Sequence, residues 1–191
     1  MLHGFREVAA RGISCAMTIM IRRATIDDVP ALHALVERAY RGDAARAGWT
    51  HEADLLDGQR SDAASLNALL GKAGNRILLA HDGDALIGSV ALLPTGPAIA
   101  HLGMLAVDPA RQDGGVGKRL IEAAEQEAAA AHAYAIEMTV IRQRPELIAW
   151  YARRGYRPTG EERPFPHDDA RFGLPRRRDL AFVVLEKPLS A

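Results

Sequence analysis

The chain has 191 residues, with 24 basic and 24 acidic side chains and no formal net charge. That length suits one domain, or one domain with an appendage, and a hydrophobic content of 48% excludes a chain disordered throughout. Neutrality argues against a broad electrostatic grip on nucleic acid or an acidic membrane, and the single cysteine, Cys15, excludes an internal disulfide and a cysteine-based zinc cage.

No apolar run reaches the roughly 18 residues of a spanning helix, so the cytoplasm is the default location. Residues 1–19 read as a leader or N-terminal arm. Their apolar patch, Ile13 to Met17, is interrupted by Ser14 and Cys15 and lacks the cleavage pattern of a signal peptide. Met17 or Met20 is a candidate start for the domain proper, which spans 20–188. Met20 to Arg23 is a short strand. Thr25, Asp27 and Asp28 offer capping oxygens ahead of Pro30, and Val29, Leu32, Leu35, Val36 and Ala39 recur at helical spacing, which predicts a helix over 28–40. A second helical stretch is expected over 50–72, with a break at Gly58 and closure at Gly71 and Gly74.

Strands follow over 76–81, 85–93 and 98–107, the first two joined by an Asp82-Gly83-Asp84 turn. In the last of these, simple alternation puts Leu102, Met104 and Ala106 on one face and His101, Leu105 and Val107 on the other. Apolar residues on both faces mark a covered, central strand. An alanine-rich helix is expected over 115–133, a strand over 135–141, a helix from Pro145 to Arg154 and a short strand over 156–159. A charged, proline-containing loop over 161–178 and a final strand over 180–185 complete the chain. Short links make the early strands antiparallel, and the strand–helix–strand unit in the middle requires a parallel crossover. The expected architecture is a mixed, mostly antiparallel α/β sheet with helices on both faces.

Chemistry concentrates in Leu105-Ala-Val-Asp-Pro-Ala-Arg-Gln-Asp-Gly-Gly-Val-Gly-Lys-Arg-Leu120, where a covered strand runs through a glycine-rich loop into a helix. Gly114, Gly115 and Gly117 permit tight turning and close backbone approach to a ligand. The first helix amides lack internal partners and, with the helix dipole, suit phosphate oxygens, beside Lys118 and Arg119. The same stretch also reads as a turn that binds nothing. It is neither a P-loop nor a Rossmann fingerprint. Gln112 and Arg119 occupy positions where a P-loop needs glycine and serine or threonine, and Leu120 stands where the Rossmann pattern needs its third glycine.

Gln112-Asp-Gly-Gly115-Val-Gly117 resembles the Gln/Arg-x-x-Gly-x-Gly/Ala signature of the GNAT N-acetyltransferase superfamily, in the right strand-to-helix context. Tyr151-Ala-Arg-Arg-Gly155-Tyr156 is similar to that family's later Tyr-x-x-x-Gly-Phe, with Arg144 and Leu147 in place of its usual Asn and Ala. The resemblance covers about 20–188 and implies acetyl-CoA as cosubstrate with no metal. It implies that the pyrophosphate lies on the loop from Gln112 through Asp113, Gly114, Gly115, Val116 and Gly117 to Lys118. It implies that the pantetheine arm pairs with the backbone at Leu105, Ala106 and Val107, in a gap between splayed strands 98–107 and 135–141. The amide at or near Leu105 would serve the oxyanion and Tyr151 the departing thiolate.

Tyr151 also reads as core packing beside Leu147 and Ile148. His101 is a candidate base, its ordinary pKa suiting proton transfer near neutrality, and equally a strand-end histidine with a local hydrogen bond. The other histidines show no ligand spacing, and no serine-hydrolase elbow or zinc-protease helix is present. Trp49, Arg60 and Phe165 are candidates to line an acceptor pocket. The expected acceptor is a small-molecule primary amine, or else a peptide, attacking the thioester directly. A non-catalytic acyl-CoA sensor of the same fold is the alternative, and an antibiotic- or toxin-modifying enzyme would differ only in acceptor. Members of the family commonly dimerise, which implies a homodimer that no residue pattern here demonstrates.

Overall fold

The apolar alternation of the middle strands needs cover on both sides, and two sets of helices supply it. The computed structural model describes residues 18–46, 48, 51–96, 98–169 and 172–189. Most of the leader, with Cys15, and Trp49 lie outside them. Seven strands form one sheet in the order β1 (Ile19–Arg23), β3 (Arg76–Asp82), β4 (Ala85–Pro94), β5 (Ile99–Val107), β6 (Ala135–Ile141), β9 (Ala181–Pro188) and β7 (Arg157–Pro164). Only β5 and β6 pair in parallel, through the crossover helix α4 (Val116–Ala130); every other neighbouring pair is antiparallel.

One face carries α1 (Val29–Tyr40) and α3 (Ala63–Gly71), which bury Leu32, Val36 and Leu66 against Ile77, Leu79, Ala91 and Ala106. The other carries α4 and α5 (Pro145–Ala152), burying Leu120, Ile121, Ala124 and Tyr151 against Leu78, Val90, Leu102 and Met138. Removing that apolar area from water at about 25 cal/mol per Å² is the main stabilising term. Gly88 lets α4 approach: a Cβ there would lie 2.8 Å from both Leu120 and Val116. Behind α5, Gly155 adopts φ +93 and stops the helix, and the chain turns back to bury Tyr156, whose hydroxyl donates to Glu125 at 3.0 Å. Lys187 reaches the same carboxylate at 2.7 Å, tying β9 to α4.

Three expectations need correction. The second helical stretch is not a helix over 50–72; only α3 is helical there besides a short turn of helix, α2 (Gly42–Arg46), upstream. Leu56–Asp57 instead forms a two-residue strand, β2, paired with β8 (Leu174–Pro175), and Gly58 leaves it at φ +78. The short strand over 156–159 runs on to Pro164 as β7, because Glu162–Pro164 pair with Ala181–Val183 beyond a bulge. It is an edge strand, where proline costs no ladder bond.

The third correction concerns the faces of β5. Ser89 pairs with Ala106 and Ala91 with Gly103, so Met104 and Leu105 together oppose Val90. This bulge, with Met104 at φ +51, resets the alternation. Leu102 shares the α4 face with Leu105 and Val107, while Met104 and Ala106 pack on the α1 face. His101, next to Leu102 in regular strand, therefore lies on the face opposite Leu105.

Two glycine substitutions should move stability in opposite directions. Gly88→Ala forces α4 off the sheet and should cost about 1–3 kcal/mol. Gly71→Ala, in open space at the end of α3, should add about 0.4–1 kcal/mol. Urea-unfolding midpoints of the two variants test both signs.

Candidate active site

β5 and β6 pair only at Ile99–Ala135, Ala100–Ile136 and His101–Glu137. Beyond His101 they diverge, and the gap opens on both faces of the sheet into two cavities that meet at Tyr40, Leu105, Leu147 and Tyr151.

The first, about 360 Å³, runs along the start of α4 and is lined by Leu105, Val107, Gln112, Asp113, Gly115, Gly117 and Lys118, with Trp150, Tyr151 and Arg154 opposite. Gly115 precedes α4 at φ +73, a conformation that a side chain would strain. The helix's first backbone bond runs from the Arg119 N–H to the Gly115 carbonyl at 3.1 Å, so the amides of Val116, Gly117 and Lys118 have no acceptor within the helix. A Cβ on Gly117 would touch the Trp150 ring at 3.5 Å. The absent side chain is what leaves room between helix and indole. Arg154 lies over that indole with its guanidinium carbon 3.3 Å from the ring centroid, and with Lys118 it brings positive charge to the mouth. Unpaired amides, two cations and a missing side chain fit a diphosphate. Gly114 is exposed at the end of the 3-10 turn before α4, and the side chains of Ala106 and Val116 are buried in the core, leaving only their backbone to a ligand.

The second cavity, about 180 Å³, holds His101, Arg60 and Phe165 together with Glu52 and Arg144. Phe165, Phe172 and Phe182 form its aromatic wall, with ring centroids 5.3–6.3 Å apart. His101 Nδ1 lies 3.8 Å from Glu137, whose carboxylate receives both Nη atoms of Arg163 at 2.9 and 3.2 Å. Burial holds the imidazole below its ordinary 6.5, against the upward pull of Glu137, so it is neutral at pH 7 and free to accept a proton.

Tyr151 lines both cavities and is only 6% exposed. Its hydroxyl makes no hydrogen bond among the described residues. Burial drives its pKa well above the ordinary tyrosine value, so it stays protonated across the working range. No sequence pattern pointed to Tyr40. From the end of α1 its hydroxyl donates to the Leu105 carbonyl at 2.7 Å, holding the bulged peptide, and burial pushes its pKa up to about 12. Only the helical spacing marked α1, and Tyr40 falls one position past the apolar residue Ala39. Trp150 and Arg154 were hidden similarly, flanking Tyr151 inside a stretch read for its tyrosine and glycine.

A split sheet with two cavities meeting in the gap suits a reaction between two bound molecules. The family model described as "Acetyltransferase (GNAT) domain" matches residues 50–167, and the chain belongs to that family. Among solved structures, yncA from Salmonella typhimurium, determined with its cofactor acetyl-CoA, superposes with a TM-score of 0.68 at 16% identity over 91% of this chain and 95% of that one. The ribosomal-protein-S18-alanine N-acetyltransferase of Escherichia coli gives 0.67 at 15% identity, covering 91% and 96%. The ribosomal-protein-alanine N-acetyltransferase of Brucella melitensis gives 0.66 at 19%, covering 89% and 99%. At such identities the likeness carries the fold alone. No curated protein sequence matches the chain.

An NMR titration should find the His101 imidazole titrating below 6.5. Glu137→Gln removes the one carboxylate that favours the imidazolium and should lower that pKa further; a rise would mean that another anion governs the site.

Proposed function

We propose that the protein is an N-acetyltransferase that moves the acetyl group of acetyl-CoA to the primary amine of a small molecule by direct attack. The observation that carries this is the meeting of the two cavities at Tyr151 and the Leu105 bulge, where a thioester entering from one side would face an amine entering from the other.

Acetyl-CoA is assigned to the cleft along α4. The amides of Val116 to Lys118, with Lys118 and Arg154, would bind its pyrophosphate, and the backbone of Leu105 to Val107 its pantetheine arm. The acceptor nitrogen attacks the thioester carbonyl carbon, and a C–N bond forms as the C–S bond breaks. The Leu105 amide, at the bulge, would donate to the oxygen that gains charge. Neutral His101 takes the proton shed by the nitrogen, directly or through water, and protonated Tyr151 gives one to the departing sulfur. Both roles match the pKa directions that burial imposes on these groups. Arg144, which replaces the family's usual Asn, lines the acceptor cavity and is left out of the cofactor's contacts.

Saturating acetyl-CoA, at about 100 times its dissociation constant, should stabilise the protein by roughly 2.7 kcal/mol and raise its melting midpoint by roughly 5–11 °C. Gly117→Leu, which fills the gap to Trp150, should abolish most of that shift. Persistence of the full shift in the variant would place the cofactor elsewhere.

Release of CoA in the presence of an amine separates the enzyme from a sensor of the same fold. His101→Gln should lower kcat/KM by about 100-fold or more and flatten the acidic limb of its pH profile, which in the native protein should rise through a pKa below 6.5. Tyr151→Phe should lower kcat while the acetyl-CoA melting shift is retained. An unchanged acidic limb in the histidine variant would transfer the base role to water.

A further inference from the structure

The acceptor cavity has more positive than negative charge, and one of its cations is held ready without a hydrogen-bonding partner. Arg144 is buried and already donates to the His51 carbonyl at 2.8 Å and pairs with Glu146. Glu52 is engaged from behind by Arg41, at 2.9 Å. Arg60 differs. Its Nε lies 3.9 Å from Glu52, and its guanidinium makes no hydrogen bond among the described residues, although it lines the cavity.

Its position is fixed from two sides. Glu37 on α1 accepts the backbone N–H groups of Arg60 and Ser61 at 2.8 and 2.7 Å, anchoring the loop. The guanidinium carbon sits 5.1 Å from the centroid of the Tyr40 ring, whose hydroxyl holds the Leu105 peptide. A planar fork of donors, preorganised beside the reaction centre and lacking a hydrogen-bond acceptor, suits a carboxylate.

We infer that the acceptor carries a carboxylate as well as the reacting amine, and that Arg60 receives it. The substrate class is then a free amino acid or a similar amino acid-like metabolite. The inference rests on the transferase reading above and specifies its acceptor. The aromatic wall of Phe165, Phe172 and Phe182 would take an apolar side chain, and the 180 Å³ volume suits one small molecule. A diamine would set its second ammonium beside Arg60 and Arg144, with Glu52 the one carboxylate among the described residues that line the cavity. A peptide amino terminus would bring an amide where the fork wants an anion.

The test uses the purified full chain with acetyl-CoA and follows CoA release with a thiol reagent. The acceptors are the common amino acids, each beside its α-amide and its decarboxylated amine. The amide's amine is the less basic, so more of it is neutral at pH 7, and a preference for the acid cannot come from amine reactivity. The best acceptor should be a free acid, preferred over its amide by about 10- to 100-fold in kcat/KM. Arg60→Gln should bring the pair within a few-fold of each other, chiefly by raising KM for the acid. Arg60→Lys should keep part of the preference, since the charge remains while the fork is lost. The acetyl-CoA melting shift of each variant reports that it is folded. Amides or plain amines acetylated as fast as the acids, or an acid preference that survives Arg60→Gln, would overturn this inference and leave the transferase reading standing. No CoA release with any acceptor, while acetyl-CoA still raises the melting midpoint, would overturn both.

Discussion

The parting of β5 from β6 is the constraint on which the site depends. Parallel neighbours with a long crossover helix between them ordinarily stay paired, since each lost ladder bond leaves polar backbone to be satisfied elsewhere. Here pairing ends at His101, and the extra residue at Met104–Leu105 bends β5 away. The cost is borne locally. Tyr40 donates to the Leu105 carbonyl, and Met104 is held at a positive φ by its packing under α1. On the far side β6 keeps its full register with β9. The sheet is therefore continuous at both flanks and open only in the middle, where a ligand's own backbone-like arm can take the vacated hydrogen bonds.

That opening also explains the electrostatics. His101, Tyr40 and Tyr151 border the same gap, and each is driven by burial toward its neutral form. A neutral imidazole can take a proton, and neutral phenols can donate one. The charged groups stand further out. Lys118 and Arg154 lie at the mouth of one cavity, and Arg60, Glu52 and Arg144 line the other, so charge surrounds a centre of neutral groups.

Much of this was legible in the sequence, for reasons that can be stated. The glycine loop is a local device: Gly115 is needed by the backbone itself, at φ +73, so the residue reports the turn directly. The crossover unit from 98 to 141 was readable because its helix and strands are long and strongly periodic. The failures share a different cause. Leu55, Leu56 and Leu66 suggested one broken helix, but Leu56–Asp57 is held by Leu174–Pro175 from the far end of the chain, and no local pattern encodes that pairing. The charged run Gly160-Glu-Glu-Arg-Pro164 read as loop because edge strands do not need an apolar face. The bulge was invisible because Met104, a residue with a full side chain, occupies the left-handed conformation. The faces of His101 and Leu102 were misassigned together by that single residue.

The two cavities share Tyr40, Leu105, Leu147 and Tyr151 and differ in the rest of their walls. The first comes almost entirely from 105–118 and 147–154, inside the long crossover and the helix after it. The second cavity draws on 52–60, 101–105, 138–151 and 165–182, with the thin ribbon of β2 and β8 clasped in part by Arg176 on Asp57 and by the Arg176 N–H to the Leu55 carbonyl at 2.9 Å. An exposed ion pair of that kind contributes little to global stability. Asp57 and Arg176 can accordingly change without loosening the sheet, whereas Leu56, buried with Ile141, Phe165 and Leu180, cannot. The exposed rim of the second cavity can therefore vary at small thermodynamic cost, while the strands and the helix that both cavities share are held in place by the core.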